Sequence, residues 1–262
     1  LSVSELMQET LARIELVNPK VNALVNILSK EACEKLASAE CPLEGALGGM
    51  PMAIKDLANV KGFKTTEGSP LYSERVARKD DQMVARLRAA GALFIGKTNT
   101  PEFGLGSNTF NPVYGKTKNP YDLTRTCGGS SGGAAVALAT RMLSISDGSD
   151  MMGSLRNPAA WNNVYGLRPT WGLVPPEPSG EIFLSQLSTL GPMARSPKDL
   201  ALLLDVQANH FDNKSYVSQS KSFSNFTAQP RMKNIKIGWL GDWGGTLTFE
   251  DELLDLAQNA LN

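Results

Sequence analysis

The chain has 262 residues, 42% apolar and 20% charged, with 26 basic and 26 acidic side chains and no formal net charge. That length allows one large domain or two small ones with a sizeable core. The balanced charge argues against nucleic acid or an anionic membrane as a partner. A single histidine, His210, excludes a multi-histidine metal site, and Cys33, Cys41 and Cys127 form no CxxC pair. Neither a zinc site nor a disulfide framework is indicated.

No stretch approaches the ~20 apolar residues of a membrane span. With Glu5, Glu9, Arg13 and Glu15 the first residues do not read as a signal peptide. The setting expected is reducing and cytoplasmic. The first residue is Leu1 rather than Met, as in a fragment.

Apolar residues at Leu6, Met7, Leu11, Ile14 and Leu16 predict an amphipathic helix over residues 4–17. A second, charged helix is predicted over 30–39, broken by glycines at 45–49, and a short buried strand over 50–54. Residues 80–90 read as a helix with Asp80 or Asp81 as N-cap and Gly91 after its end, followed by a strand over 92–96. Residues 99–127 are polar and rich in Gly and Pro, as a long functional loop would be. A small-residue helix is predicted over 134–142 and a strand over 143–145, with 166–180 irregular. Ser196-Pro197 opens a helix to about residue 207. Residues 211–230 are weakly patterned. A strand over 235–240 and a helix over 250–261 close the chain. The rhythm of helix, glycine and apolar strand is that of an α/β protein.

Three chemical signals compete. Residues 91–98, GALFIGKT, satisfy the phosphate-loop pattern, and residues 201–205 resemble the acidic strand that accompanies it. The four middle residues, Ala, Leu, Phe and Ile, favour a strand rather than a loop whose N–H groups curl round a phosphate, and Pro101 opposes a helix behind it. Secondly, Gly129-Ser130-Ser131-Gly132-Gly133 fits a nucleophile elbow at Ser131, with His210 downstream. The residues before it are polar, whereas an elbow hangs from a hydrophobic strand. The third signal needs no histidine: serines beside glycines at 128–133 and 147–154, plus Lys55 at the end of a buried strand.

The stretch 128–170, together with GGMPMAIKD (48–56), GKTNTPEF (96–103), GPMARS (191–196) and GWLGDWGG (238–245), resembles the amidase signature family over nearly the whole chain. The resemblance implies an α/β fold, one domain over 1–262 with a central mixed β-sheet flanked by helices, lacking its C-terminal part. It implies an amidase that hydrolyses a carboxamide through an acyl-enzyme on Ser154, with Lys55 as base. Ser130, usually preceded by a cis peptide bond in the family, matches the bridging serine and proton relay. The backbone amides of Met151, Met152, Gly153 and Ser154 match the oxyanion hole. No metal or organic cofactor is implied. The partners expected are a small-molecule amide and, as an assembly, a homodimer. Two other readings stay open. One is the A subunit of a tRNA-dependent amidotransferase, a glutaminase working with a partner protein. The other is a catalytically incomplete fragment, since family members are usually substantially longer.

These roles make physical sense. A serine hydroxyl needs a base, and a lysine with pKa near ~10.4 is almost wholly protonated at pH 7. Lys55 should therefore be desolvated and lack a close carboxylate, with Asp56 on the opposite face. A hydroxyl can donate and accept at once, so Ser130 can relay a proton. Many family members have two glycines before the nucleophile, whereas Met152-Gly153 stands here, so Met152 should point away or line the pocket. Asp150 and Arg156 are expected to form a structural ion pair. Lys97 is expected to be a loop lysine. Trp161 and Trp171 are expected to pack in the core, as is Cys127.

Overall fold

In the computed structural model, helix α1 (Val3–Val21) starts at Ser2, whose hydroxyl accepts from the Glu5 amide while the Glu5 carboxylate accepts from the Ser2 amide. This capping box satisfies two of the orphan donors of the first turn. The helix continues past its expected end and stops at Asn22, which takes a left-handed conformation (φ 53°). Met7, Ile14 and Val21 form its buried stripe. The structure describes residues 1–38, 45–177, 186–208, 222–224, 236–250 and 252–261. The chain divides into two compact units, residues 1–226 and 227–262.

In the first unit, β1 (Leu24–Val25), α2 (Lys30–Ser38), β2 (Pro51–Lys55), α3 (Gln82–Ala89) and β3 (Leu93–Thr98) follow α1. The strand order is β1-β3-β2, with β2 parallel and β1 antiparallel to β3. All six residues of β3 are buried. The phosphate-loop pattern is therefore a core strand whose amides belong to the sheet. Lys97, expected in a loop, lies within it and is fully buried.

The long polar stretch contains a small hairpin, β4 (Phe110–Asn111) and β5 (Gly115–Lys116). Buried amides hold it: Asn111 Nδ2 donates to Asn99 Oδ1 at 2.7 Å, and Asn99 Nδ2 to Thr117 Oγ1 at 3.0 Å. Then come α4 (Gly132–Ala139), β6 (Ile145–Asp150), α5 (Arg156–Trp161), β7 (Tyr165–Gly166), β8 (Thr189–Ala194) and α6 (Pro197–Ala208). A second sheet has the order β6-β8-β7, all antiparallel. The mixed α/β class expected is found; among the described residues the strands fall in three ladders. Residues 201–205 fall in α6, so the acidic-strand reading does not stand.

Helix α4 is buried on every side from Gly132 to Leu138, which only small residues permit. A Cβ on Gly133 would stand 2.3 Å from the Asn99 amide nitrogen and 2.6 Å from the Ala23 carbonyl oxygen, both backbone atoms that cannot swing aside. Gly133→Ala is therefore expected to destabilise the chain by ~1–3 kcal/mol through overpacking. A lower urea midpoint at unchanged slope is the measurement that checks it.

In the second unit, α7 (Leu253–Asn259) answers to the predicted last helix. Residues 236–240 carry no strand, contrary to expectation. A strand is defined by its ladder, and among the described residues these find no partner; Ile237, Trp239 and Leu240 are exposed. His210, Cys41 and most of 211–230 lie outside the described residues, as does the elbow triad that needed His210. No described helix is long and apolar enough to cross a membrane.

Candidate active site

Lys55 is the last residue of β2 and is 1% exposed. Its Nζ lies 2.7 Å from Ser130 Oγ, 2.8 Å from Ser131 Oγ and 3.0 Å from Ser149 Oγ. The serines come from two places. Ser130 and Ser131 sit in the glycine-rich turn before α4, where the Gly129–Ser130 peptide bond is cis. Ser149 belongs to β6. Glycines let that turn approach its neighbours closely: a Cβ on Gly129 would touch the backbone of Ser107 and Asn108 at 3.0–3.1 Å.

Burial drives the Lys55 ammonium down to a pKa of about 7, against the upward pull of the Asp147 and Asp150 carboxylates. The lysine is thus desolvated, but carboxylates are near it, contrary to the sequence expectation. Asp147 Oδ1 accepts the Lys55 backbone N–H at 3.0 Å. Desolvation still wins because the lysine is almost wholly buried. Asp56 turns to a different partner: its carboxylate lies 3.6 Å from Lys97 Nζ and accepts from Thr66. Lys97 also donates to the Ala58 carbonyl. The second buried lysine is therefore tied to the loop that follows β2 and does not reach the serines.

Ser154 follows β6 in a turn and is partly exposed. Its carbonyl accepts the Ser131 N–H at 3.2 Å, which ties the two serine-bearing segments together. Among the described residues no hydrogen bond joins the Ser154 and Ser130 hydroxyls. The turn is shaped by Asp150, whose carboxylate accepts from the amides of Gly153 (2.7 Å) and Leu155 (3.2 Å) and from the Arg156 guanidinium (2.9 and 3.1 Å). This is the ion pair expected from the sequence. It corrects one expectation: the Gly153 amide is committed to Asp150 and is not free for an oxyanion. The amides of Met151, Met152 and Ser154 carry no hydrogen bond to any described residue. Gly153 itself has φ of 113°, which other residues rarely adopt. The Met152 side chain is 83% exposed and so points away from the turn.

Sequence reasoning missed Ser149, Asp147 and the lysine contact of Ser131. The spacing of Asp147 and Ser149 carried a usable signal, because residues two apart on a strand share a face. Burial pushes the Cys127 thiol up to about 12, in keeping with packing. Trp161 is half exposed on α5 rather than in the core. Trp171 borders a cavity of about 270 Å³ with Lys55, Gln82, Asp147, Ser149 and Glu177; Ser130 and Ser154 are not among its lining residues.

A family model described as Amidase matches residues 5–261. The A subunit of glutamyl-tRNA(Gln) amidotransferase from Carboxydothermus hydrogenoformans is 40% identical over 91% of this chain and 50% of its own. The solved structure of 6-aminohexanoate cyclic dimer hydrolase with substrate superposes with a TM-score of 0.77 at 34% identity, over 86% of this chain and 47% of its own. The A subunit of glutamyl-tRNA(Gln) amidotransferase from Thermotoga maritima does so with a TM-score of 0.72 at 30% identity, over 84% and 47%. The chain spans about half the length of the curated relatives it matches.

Proposed function

The chain belongs to the amidase signature family, and on that premise we propose that it carries the machinery for cleaving the C–N bond of a carboxamide at Ser154. The observation that carries this reading is the Lys55 amine, buried and 2.7 Å from Ser130 Oγ. With a pKa of about 7 the amine is neutral in a useful fraction of molecules near neutral pH, as a general base must be.

In this mechanism Ser130 gives its proton to Lys55 and takes one from Ser154. The Ser154 oxygen attacks the amide carbon, and the oxyanion meets the amides of Met151, Met152 and Ser154. The proton returns through Ser130 to the amide nitrogen, the C–N bond breaks, and ammonia or an amine leaves. Water, deprotonated by the same route, then releases the carboxylate. Ser131 and Ser149 hold Lys55 in position and give its protons acceptors while it is charged.

Relatives named as A subunits of glutamyl-tRNA(Gln) amidotransferase support the reading of a glutaminase that works with a partner. A stand-alone amidase is the second reading, supported by the likeness to 6-aminohexanoate cyclic dimer hydrolase. Both are tested by incubating the chain with glutamine and with aliphatic and aromatic carboxamides and measuring ammonia. Release from glutamine alone supports the first, and release from several carboxamides the second. No release from a chain whose Ser154 still accepts a fluorophosphonate would remove the stand-alone reading for primary carboxamides.

A further inference from the structure

β2 and β6 are edge strands of their two sheets and lie against one another, yet no ladder joins them among the described residues. At that seam the N–H of Lys55 is taken by a side chain, the carboxylate of Asp147. The carboxylate is 1% exposed. Other acidic groups nearby have different work. Asp150, on the same strand, is held by Arg156 and by the amides of the turn that carries Ser154. Asp56, after β2, is held by Lys97 and Thr66. Asp81 and Glu177, across the neighbouring cavity, accept from Asn59 and from Lys79 and the Gln82 amide. Lys97, on β3, is the second cation whose field reaches Asp147.

We propose that Asp147 is a positioning residue for Lys55. Its carboxylate anchors the lysine's backbone where two sheet edges meet and places a buried negative charge beside that residue. The proposal rests on Lys55 being the base. Burial pushes the Asp147 carboxyl up to about 6, while the Lys55 amide and the two lysines pull it down. Its charge is therefore present at neutral pH and lost below.

Asp147→Asn keeps an oxygen acceptor for the Lys55 amide but removes the charge. With the chain grown on lysine labelled with carbon-13 and nitrogen-15 at the side-chain end, NMR reads the Lys55 amine directly, and Lys55→Met assigns it. The titration midpoint is expected to fall by ~1 pH unit or more in Asp147→Asn. The acid limb of fluorophosphonate capture at Ser154 should fall with it. A residue that merely packs would leave the midpoint unmoved, and that result, or an upward shift, overturns the proposal. In the unsubstituted chain the Lys55 amide proton, held by the Asp147 carboxylate, should exchange slowly with solvent; exchange as fast as that of an unbonded amide would overturn the proposal even if the variant did not fold. A shifted amine midpoint with no capture at Ser154 would leave Asp147 in its role and remove the serine reading. Capture with an unmoved midpoint would do the reverse.

Discussion

Ser154→Ala is expected to abolish covalent capture of a fluorophosphonate, read as the loss of a single adduct in the intact mass. The wild-type adduct should map to Ser154. Lys55→Ala and Ser130→Ala should each slow capture by ~10²-fold or more, the usual worth of a placed proton acceptor. The two variants differ in what they leave behind. Without Ser130, Lys55 keeps Ser131 and Ser149 at 2.8 and 3.0 Å, so the lysine stays in place and only the relay is lost. Without Lys55, three hydroxyls lose a common partner and the proton has nowhere to go. Undiminished capture in either variant would remove that residue from the mechanism. The wild-type rate should rise as pH rises through about 7, since only the neutral amine accepts a proton and its pKa lies there. A rate still climbing steeply at about pH 9–10 would mean that Lys55 titrates as an exposed lysine does.

Much of the fold was legible where apolar residues recur with a clear period. α1, α3, β2 and β3 fall within a few residues of their predicted places. The strands of the second sheet were not legible in the same way. β6 reads Ile-Ser-Asp-Gly-Ser-Asp and β8 reads Thr-Leu-Gly-Pro-Met-Ala, so hydrophobic alternation is absent and Gly and Pro argue against a strand. Their ladder with each other and the α6 cover make them strands, which is tertiary information. Lys55, Ser130 and Ser154 were singled out through family likeness rather than periodicity. The charge placement was less legible. That Lys97 is a core residue paired with Asp56, and that Asp147 faces Lys55 across a seam, depends on which strand edges meet.

Asp150→Ala is expected to be the most damaging substitution near the site that touches no reacting atom. The carboxylate is fully buried and takes hydrogen bonds from two amides of the turn that carries Ser154 and from Arg156, with Arg168 Nε 3.6 Å away. Removing it strands the Gly153 and Leu155 N–H groups and leaves Arg156 and Arg168 without the charge they converge on. The cost should be ~3 kcal/mol or more, tempered because the Arg156 side chain is half exposed and can regain water. Chemical denaturation checks the size, and the pH dependence checks the cause. Burial pushes the Asp150 carboxyl up, but the hydrogen bonds from Arg156, Gly153 and Leu155 outweigh it and hold it at about 2. A carboxylate with a depressed folded-state pKa contributes its stability above its unfolded value near ~4. That contribution fades as pH falls through the folded value. The stability gap between wild type and Asp150→Asn should therefore be constant from about pH 5 to 7 and shrink between about 4 and 2. Fluorophosphonate capture by Asp150→Asn near neutral pH should slow as well, because the turn that aims the Met151, Met152 and Ser154 amides loses its central acceptor. A variant of lower stability that captured at the wild-type rate would show that Asp150 holds the fold and not the shape of the turn.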